Sequence, residues 1–278
     1  MTLRLKIIYF FLFVIITMPI AQGKETNVSA ESLWAKIDKA IADENWDMAD
    51  SLIVETLNQH PDEATRAMLL SNLGMIRYYA GKDSLAVTTL TQAHHEAPAS
   101  VAILSNRAKV LTSMGHVAAA VADYNQIEQL DSTYSDTYLY RGLIYLYNGY
   151  FEDAFTDLKK REKMSPKSED TIIALASYYT ITEDYESAVP YYTELIRDNA
   201  QAEYYAGRAM CALHLNRLYD AAEDIAEGLA LDPNYSELYL CRAILNKRRY
   251  CPDDAHSDAE RAISLGASPA RVNALLGF

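Results

Sequence analysis

Four arginines in this 278-residue chain each stand sixteen residues ahead of an aspartate: Arg107 and Asp123, Arg141 and Asp157, Arg208 and Asp224, Arg242 and Asp258. A guanidinium fork meets a carboxylate through two parallel hydrogen bonds, so the spacing points first to ion pairing. Two further stretches of the same series replace both members together, with Leu73 and Thr89 in one and Leu175 and Tyr191 in the other. Arginine and aspartate arrive and leave as a set. That linkage reads as a structural pair, not as a row of free arginines that binds anions. The other reactive side chains lack the spacing that chemistry needs. A zinc site on a helix takes ligands three or four residues apart on one face. Of His60, His94, His95, His116, His214 and His256, only His94 and His95 are close, and they are neighbours that point apart. Cys211, Cys241 and Cys251 form no CxxC, and their odd number argues against a closed disulfide set. Cys211 and Cys241 fall at positions that could approach one another, but burial as small apolar residues is the simpler reading. Asp253 and Asp254 fall at a turn before a helix, where carboxylates favour free N–H groups. The glycine-rich phosphate and dinucleotide motifs and the GxSxG elbow are absent. No catalytic residue, no metal ligand and no cofactor is expected.

The elements that hold the pairs follow from a second regularity. Gly74, Ala108, Gly142, Ala176, Ala209 and Ala243 are separated by 34, 34, 34, 33 and 34 residues. Ala86, Ala120, Ala154, Ala188, Ala221 and Ala255 repeat the rhythm twelve residues later. A fixed period of this length marks a stack of similar units without one central core. The segments are 30–63, 67–100, 101–134, 135–168, 169–201, 202–235 and 236–269, with 24–29 as a linker and 270–278 as one more partial helix. Each segment reads as helix, turn, helix. Gly81, Gly115 and Gly149 fall at the turn, and Pro61, Pro98, Pro166 and Pro233 close four segments. The small residues mark close approach of two antiparallel helices, where a leucine would overpack. Leu90, Tyr124, Leu158, Tyr192 and Ile225 fill the space beside them. Three departures stand out: Ala64–Arg66 are extra, segment 169–201 is one residue short, and Tyr250-Cys251-Pro252 replaces the glycine turn.

Half of the residues are hydrophobic, which excludes a disordered chain, and the net charge is −13. Such a surface repels nucleic acid and anionic lipid. The one basic cluster, Lys247, Arg248 and Arg249, reads as a solvated face. At the N-terminus, Arg4 and Lys6 precede the apolar run Ile7–Ile16, and Ala21-Gln22-Gly23 follows. That order is the layout of a secretory signal peptide over residues 1–23. The chain is therefore expected to be exported, periplasmic or secreted. If uncleaved, the segment would anchor it, and this is the only membrane contact expected.

The phases resemble the tetratricopeptide repeat. Leu73-Gly74, Tyr78, Gly81, Ala86, Leu90, Ala93 and Pro98 carry the resemblance, and so do Gly142, Tyr145, Gly149, Ala154, Leu158 and Pro166. It extends over nearly the whole chain after the N-terminal segment. It implies an all-α, right-handed α-α superhelix, a solenoid of about seven repeats plus a C-terminal capping helix, in an exported bacterial protein. It also implies a protein or peptide partner on a concave groove lined by each first helix. Carried onto this sequence, the groove phases give Met75, Tyr78, Tyr79, Asn106, Leu139, Tyr140, Leu143, Tyr147 and Ile173. The subtype that clamps a C-terminal carboxylate is not expected, because Asp136 and Tyr140 hold two of its basic positions. The function implied is a non-enzymatic interaction scaffold in the cell envelope. The alternative is a helical carbohydrate- or nutrient-binding accessory protein, since tyrosines also stack on sugars.

Overall fold

The computed structural model describes residues 28–277. The expected signal peptide and residues 24–27 lie outside them. Among the described residues there are fifteen helices and no strand. They are α1 (Val28–Ala42), α2 (Trp46–Leu57), α3 (Glu63–Tyr79), α4 (Asp83–Glu96), α5 (Val101–Ser113), α6 (Val117–Leu130), α7 (Asp136–Tyr147) and α8 (Phe151–Met164). The series continues with α9 (Glu169–Ile181), α10 (Tyr185–Asp198), α11 (Ala202–His214), α12 (Leu218–Leu231), α13 (Ser236–Arg248), α14 (Pro252–Ser264) and α15 (Pro269–Leu276). The chain divides into two compact units, one reaching Thr137 and the other starting at Tyr138.

In the N-terminal unit, Ile37 and Ala40 of α1 meet Ala49 and Ile53 of α2, and Leu69, Leu73 and Ile76 of α3 close that core. The extra residues Ala64, Thr65 and Arg66 form the first turn of α3, so the insertion lengthens a helix and adds no loop. Asp62 fixes where that helix begins, accepting the Thr65 N–H at 3.0 Å. In the C-terminal unit, Ala209, Leu213, Ala221, Ile225, Leu238, Cys241 and Ala243 share one core, and Val272 and Leu276 of α15 extend it. The basic cluster has a structural task here. Lys247 donates to the Leu276 carbonyl and Arg248 to the Leu213 carbonyl, each at the end of a helix, where cations are favoured. Arg249 donates to the Leu218 carbonyl at 3.3 Å. Cys211 and Cys241 are free and buried, and Cys251 is free and exposed.

The turn inside each helix pair is set by one left-handed residue. It is Glu44, Gly81, Gly115, Gly149, Glu183, Asn216 or Tyr250, with φ between 52° and 81°. In six of these seven turns the following N–H reaches back five residues, as Lys82 to the Arg77 carbonyl at 2.8 Å and Cys251 to the Asn246 carbonyl at 2.9 Å. Tyr250 thus holds the conformation of the glycines despite its side chain, and its ring is 93% exposed and packs on little. A non-glycine residue there costs roughly 1 kcal/mol or more. Tyr250→Gly is expected to raise stability by about 1 kcal/mol, read as a higher urea midpoint. A lower midpoint would show that the turn gains from the tyrosine.

Candidate protein-binding surfaces

The Arg–Asp series decides which polar residues remain for a partner. Arg107 donates to Asp123 at 2.9 and 2.6 Å. Arg141 donates to Asp157 at 2.7 and 2.8 Å. Arg208 meets Asp224 at 2.7 Å and Arg242 meets Asp258 at 2.7 Å. Each bond joins the first helix of a pair to the second. The guanidiniums of Arg141, Arg208 and Arg242 also lie over the ring three residues earlier, Tyr138, Tyr205 or Tyr239. The two exceptional segments bond backwards instead. Thr89 accepts from Arg77 at 2.7 Å, and Arg77 also donates to Asp50 of α2 at 2.8 Å. Tyr191 donates to Glu162 of α8 at 3.0 Å. No sequence reading of a within-repeat pair could find the links to Asp50 and Glu162, because those two residues lie in the preceding repeat.

In the N-terminal unit, Tyr78 and Tyr79 are half-buried, with ring centroids 5.6 Å apart. Trp46 of α2 lies 5.4 Å from Tyr79. Burial, and then the neighbouring Tyr78, raises the Tyr79 hydroxyl pKa. Two of the residues carried onto a groove here do not present a surface. Met75 is buried against Ala86, Leu90 and Val110. Asn106 is buried and its amide donates to Ser71 at 3.1 Å, tying α5 to α3. A buried amide satisfied in this way is part of the packing and is not available to a peptide.

In the C-terminal unit, Tyr140, Leu143 and Tyr147 share one face of α7 and are each half-buried. Ile173 of α9 is half-buried beside Ile172, Leu195 and Tyr204. Leu139 is 1% exposed and belongs to the core, which corrects its place in the groove. The sequence places Tyr192 among the rings that fill space beside small residues, but not against Gly207 of the following repeat. This ring comes from α10, outside the first helices, and its hydroxyl lies 3.3 Å from Thr180 of α9. It seats on Gly207 of α11, where an added Cβ would come within 2.3 Å of the ring. Burial raises the Tyr147 hydroxyl pKa, and the charge of Glu203 adds to it. Burial pushes Tyr192 up to about 12. A folded-state value above the ordinary tyrosine value means stability that is full below about pH 10 and lost as pH rises toward 12. The urea midpoint is therefore expected to fall over that window by the equivalent of roughly 2–3 kcal/mol from this ring. Tyr192→Phe should remove that part of the fall, and an unchanged alkaline profile would show that the hydroxyl is solvated.

Among the described residues no cluster of three or more His, Cys, Asp or Glu could hold a metal ion, and no helix is long and apolar enough to cross a membrane. Repeated antiparallel helix pairs with small residues at their contacts and left-handed turns define the class: an all-α solenoid of tetratricopeptide repeats. Solved structures carry the same fold. A tetratricopeptide repeat protein from Parabacteroides merdae superposes with a TM-score of 0.70 at 23% identity, over 90% of this chain and 98% of that one. The C-terminal part of a repeat protein from Cytophaga hutchinsonii gives 0.65 at 14% identity, over 87% and 99%. YrrB, a repeat protein described with an unusual peptide-binding site, gives 0.54 at 19% identity, over 68% and 98%. By sequence, a DnaJ homolog subfamily C member 7 homolog of Dictyostelium discoideum is 27% identical over 177 residues, 57% of this chain. A U-box domain-containing protein 70 of Oryza sativa subsp. japonica is 27% identical over 138 residues. The aligned regions span 33% and 17% of those two relatives. No protein-family profile matches the chain.

Proposed function

We propose that the chain is a non-enzymatic scaffold of the cell envelope that holds a protein or peptide partner on the first helices of its repeats. The observation that carries this reading is the α7 face, where Tyr140, Leu143 and Tyr147 stand half-buried at helical spacing. Tyrosines offer large contact area at low cost in side-chain entropy, and a rigid helix pair presents them in place. YrrB, with its peptide-binding site, lends the reading support from a chain of the same fold. Export is supported by Arg4, Lys6, the run Ile7–Ile16 and Ala21-Gln22-Gly23.

Crosslinking in the native envelope, followed by mass spectrometry of the attached protein, tests the reading. Capture of that protein is expected to weaken tenfold or more in Tyr140→Ala/Tyr147→Ala with helicity retained. Tyr79→Ala alone tests the N-terminal unit. Unchanged capture by the α7 variant removes the groove assignment. Saturable heat with oligosaccharides, and no protein crosslink, would favour the carbohydrate-binding alternative.

A further inference from the structure

The C-terminal unit carries a second aromatic surface that the α7 face does not include. Phe155 of α8 lies 5.3 Å from Tyr178 and 6.3 Å from Tyr179 of α9. Tyr178 and Tyr179 stand edge to face at 5.3 Å, and Tyr179 stacks on Tyr191 of α10 at 5.5 Å. Ile173 and Ser177 share another face of α9, and the two tyrosines lie about 100° and 200° further round the helix. Phe155 is 36% exposed, and Phe151, one turn earlier, is 40% exposed. Four rings from three helices thus form one continuous shelf, with a second exposed phenylalanine beside it. Tyr178, Tyr179 and Tyr191 are half-buried, so each ring is held by its neighbours while keeping part of its surface open.

The rim is acidic. Glu152 and Asp184 are exposed, and their charges act on the Tyr178 hydroxyl, adding to the effect of burial and of Tyr179. At the α10 end of the shelf Lys159 lies 3.4 Å from the Tyr191 hydroxyl and is paired with Glu162, away from the Phe155 and Tyr178 rings. The net charge of −13 opposes docking of a second copy. We infer that this shelf docks a basic segment of another protein, with a lysine or arginine over the Phe155 and Tyr178 rings between the Glu152 and Asp184 carboxylates. Tyrosine faces in the same unit already take cations. Lys160 lies 4.0 Å from the Tyr138 ring centroid and Arg242 4.9 Å from that of Tyr239.

The test is calorimetry of the whole chain with a short peptide that alternates lysine or arginine with phenylalanine, against the same peptide with glutamate for each basic residue. The basic peptide is expected to bind saturably and the acidic one not to bind. Phe155→Ala/Tyr178→Ala should weaken binding at least tenfold. Phe155→Lys changes an exposed position, keeps the fold, and should weaken it as much. Glu152→Gln/Asp184→Asn should weaken it at least threefold and flatten its salt dependence. The amide introduced by Asp184→Asn keeps a side-chain oxygen for the Ser187 N–H, which Asp184 now caps at 3.2 Å. Tyr140→Ala/Tyr147→Ala should leave it unchanged, which separates this surface from the α7 face. Equal binding of both peptides, or an unchanged Kd in Phe155→Lys, would overturn the inference. So would loss of binding in the α7 variant alone, displacement by an oligosaccharide, or a dimer abolished by Phe155→Lys.

Discussion

Asp157→Asn is expected to destabilise the C-terminal unit by up to about 3–5 kcal/mol, the cost of taking the carboxylate out of a buried ion pair. The Arg141 and Asp157 side chains are 9% and 6% exposed, so water cannot take over the lost bonds. The same change should cost less where the arginine reaches solvent. Arg107 is 14% exposed, Arg208 25% and Arg242 40%, so the loss should fall in that order from Asp123 through Asp224 to Asp258. The chain also supplies its own repair. One segment carries Leu73 and Thr89 at these two positions, and both are buried there. Arg141→Leu/Asp157→Thr removes both charges together and should recover most of the loss, because an apolar replacement for a buried pair is often neutral. Urea unfolding of the single and double variants decides this. A flat series across the four aspartates would show that the pairs are solvated. A double variant as unstable as Asp157→Asn would show that the arginine has another role.

These pairs were legible in the sequence because both partners recur within one repeat, sixteen residues apart. Contacts between repeats were not. Arg77 and Asp50 are 27 residues apart, and Tyr191 and Glu162 are 29 apart, so neither shows as a repeated offset. The inward phases of the first helices were legible as a class, but each contains two kinds of residue. Tyr140 and Tyr147 keep open surface, whereas Leu139 and Asn106 pack or bond within the protein. Spacing places a side chain on a face, and only the neighbouring helix decides whether that face is covered. Tyr250 makes the same point for the turns. Its register, one period after Asn216, was the only sign that it takes a left-handed φ of 62°.

Gly207→Ala is expected to change sign with its neighbour, and this is the second large effect. In the native chain the new Cβ would lie 2.3 Å from Cε1 and 2.5 Å from Cζ of Tyr192, so the ring must leave its seat. Overpacking of this kind costs about 1–3 kcal/mol, against which alanine gains about 1 kcal/mol in helix propensity. Tyr192→Ala alone should cost roughly 3 kcal/mol, since it empties a site packed by Ile172, Leu195 and Tyr204. In the Tyr192→Ala background the obstruction is gone, and Gly207→Ala should stabilise by up to about 1 kcal/mol. A thermodynamic cycle would then show a coupling of about 2 kcal/mol between residues fifteen apart in sequence. Additive effects would mean that the ring does not rest on the glycine. The coupling bears on binding as well. Tyr192 reaches Thr180 of α9 from its seat on α11, so displacing the ring would disturb the joint between those two first helices. Gly207→Ala should therefore weaken partner capture in the native background, although residue 207 itself offers a partner no side chain.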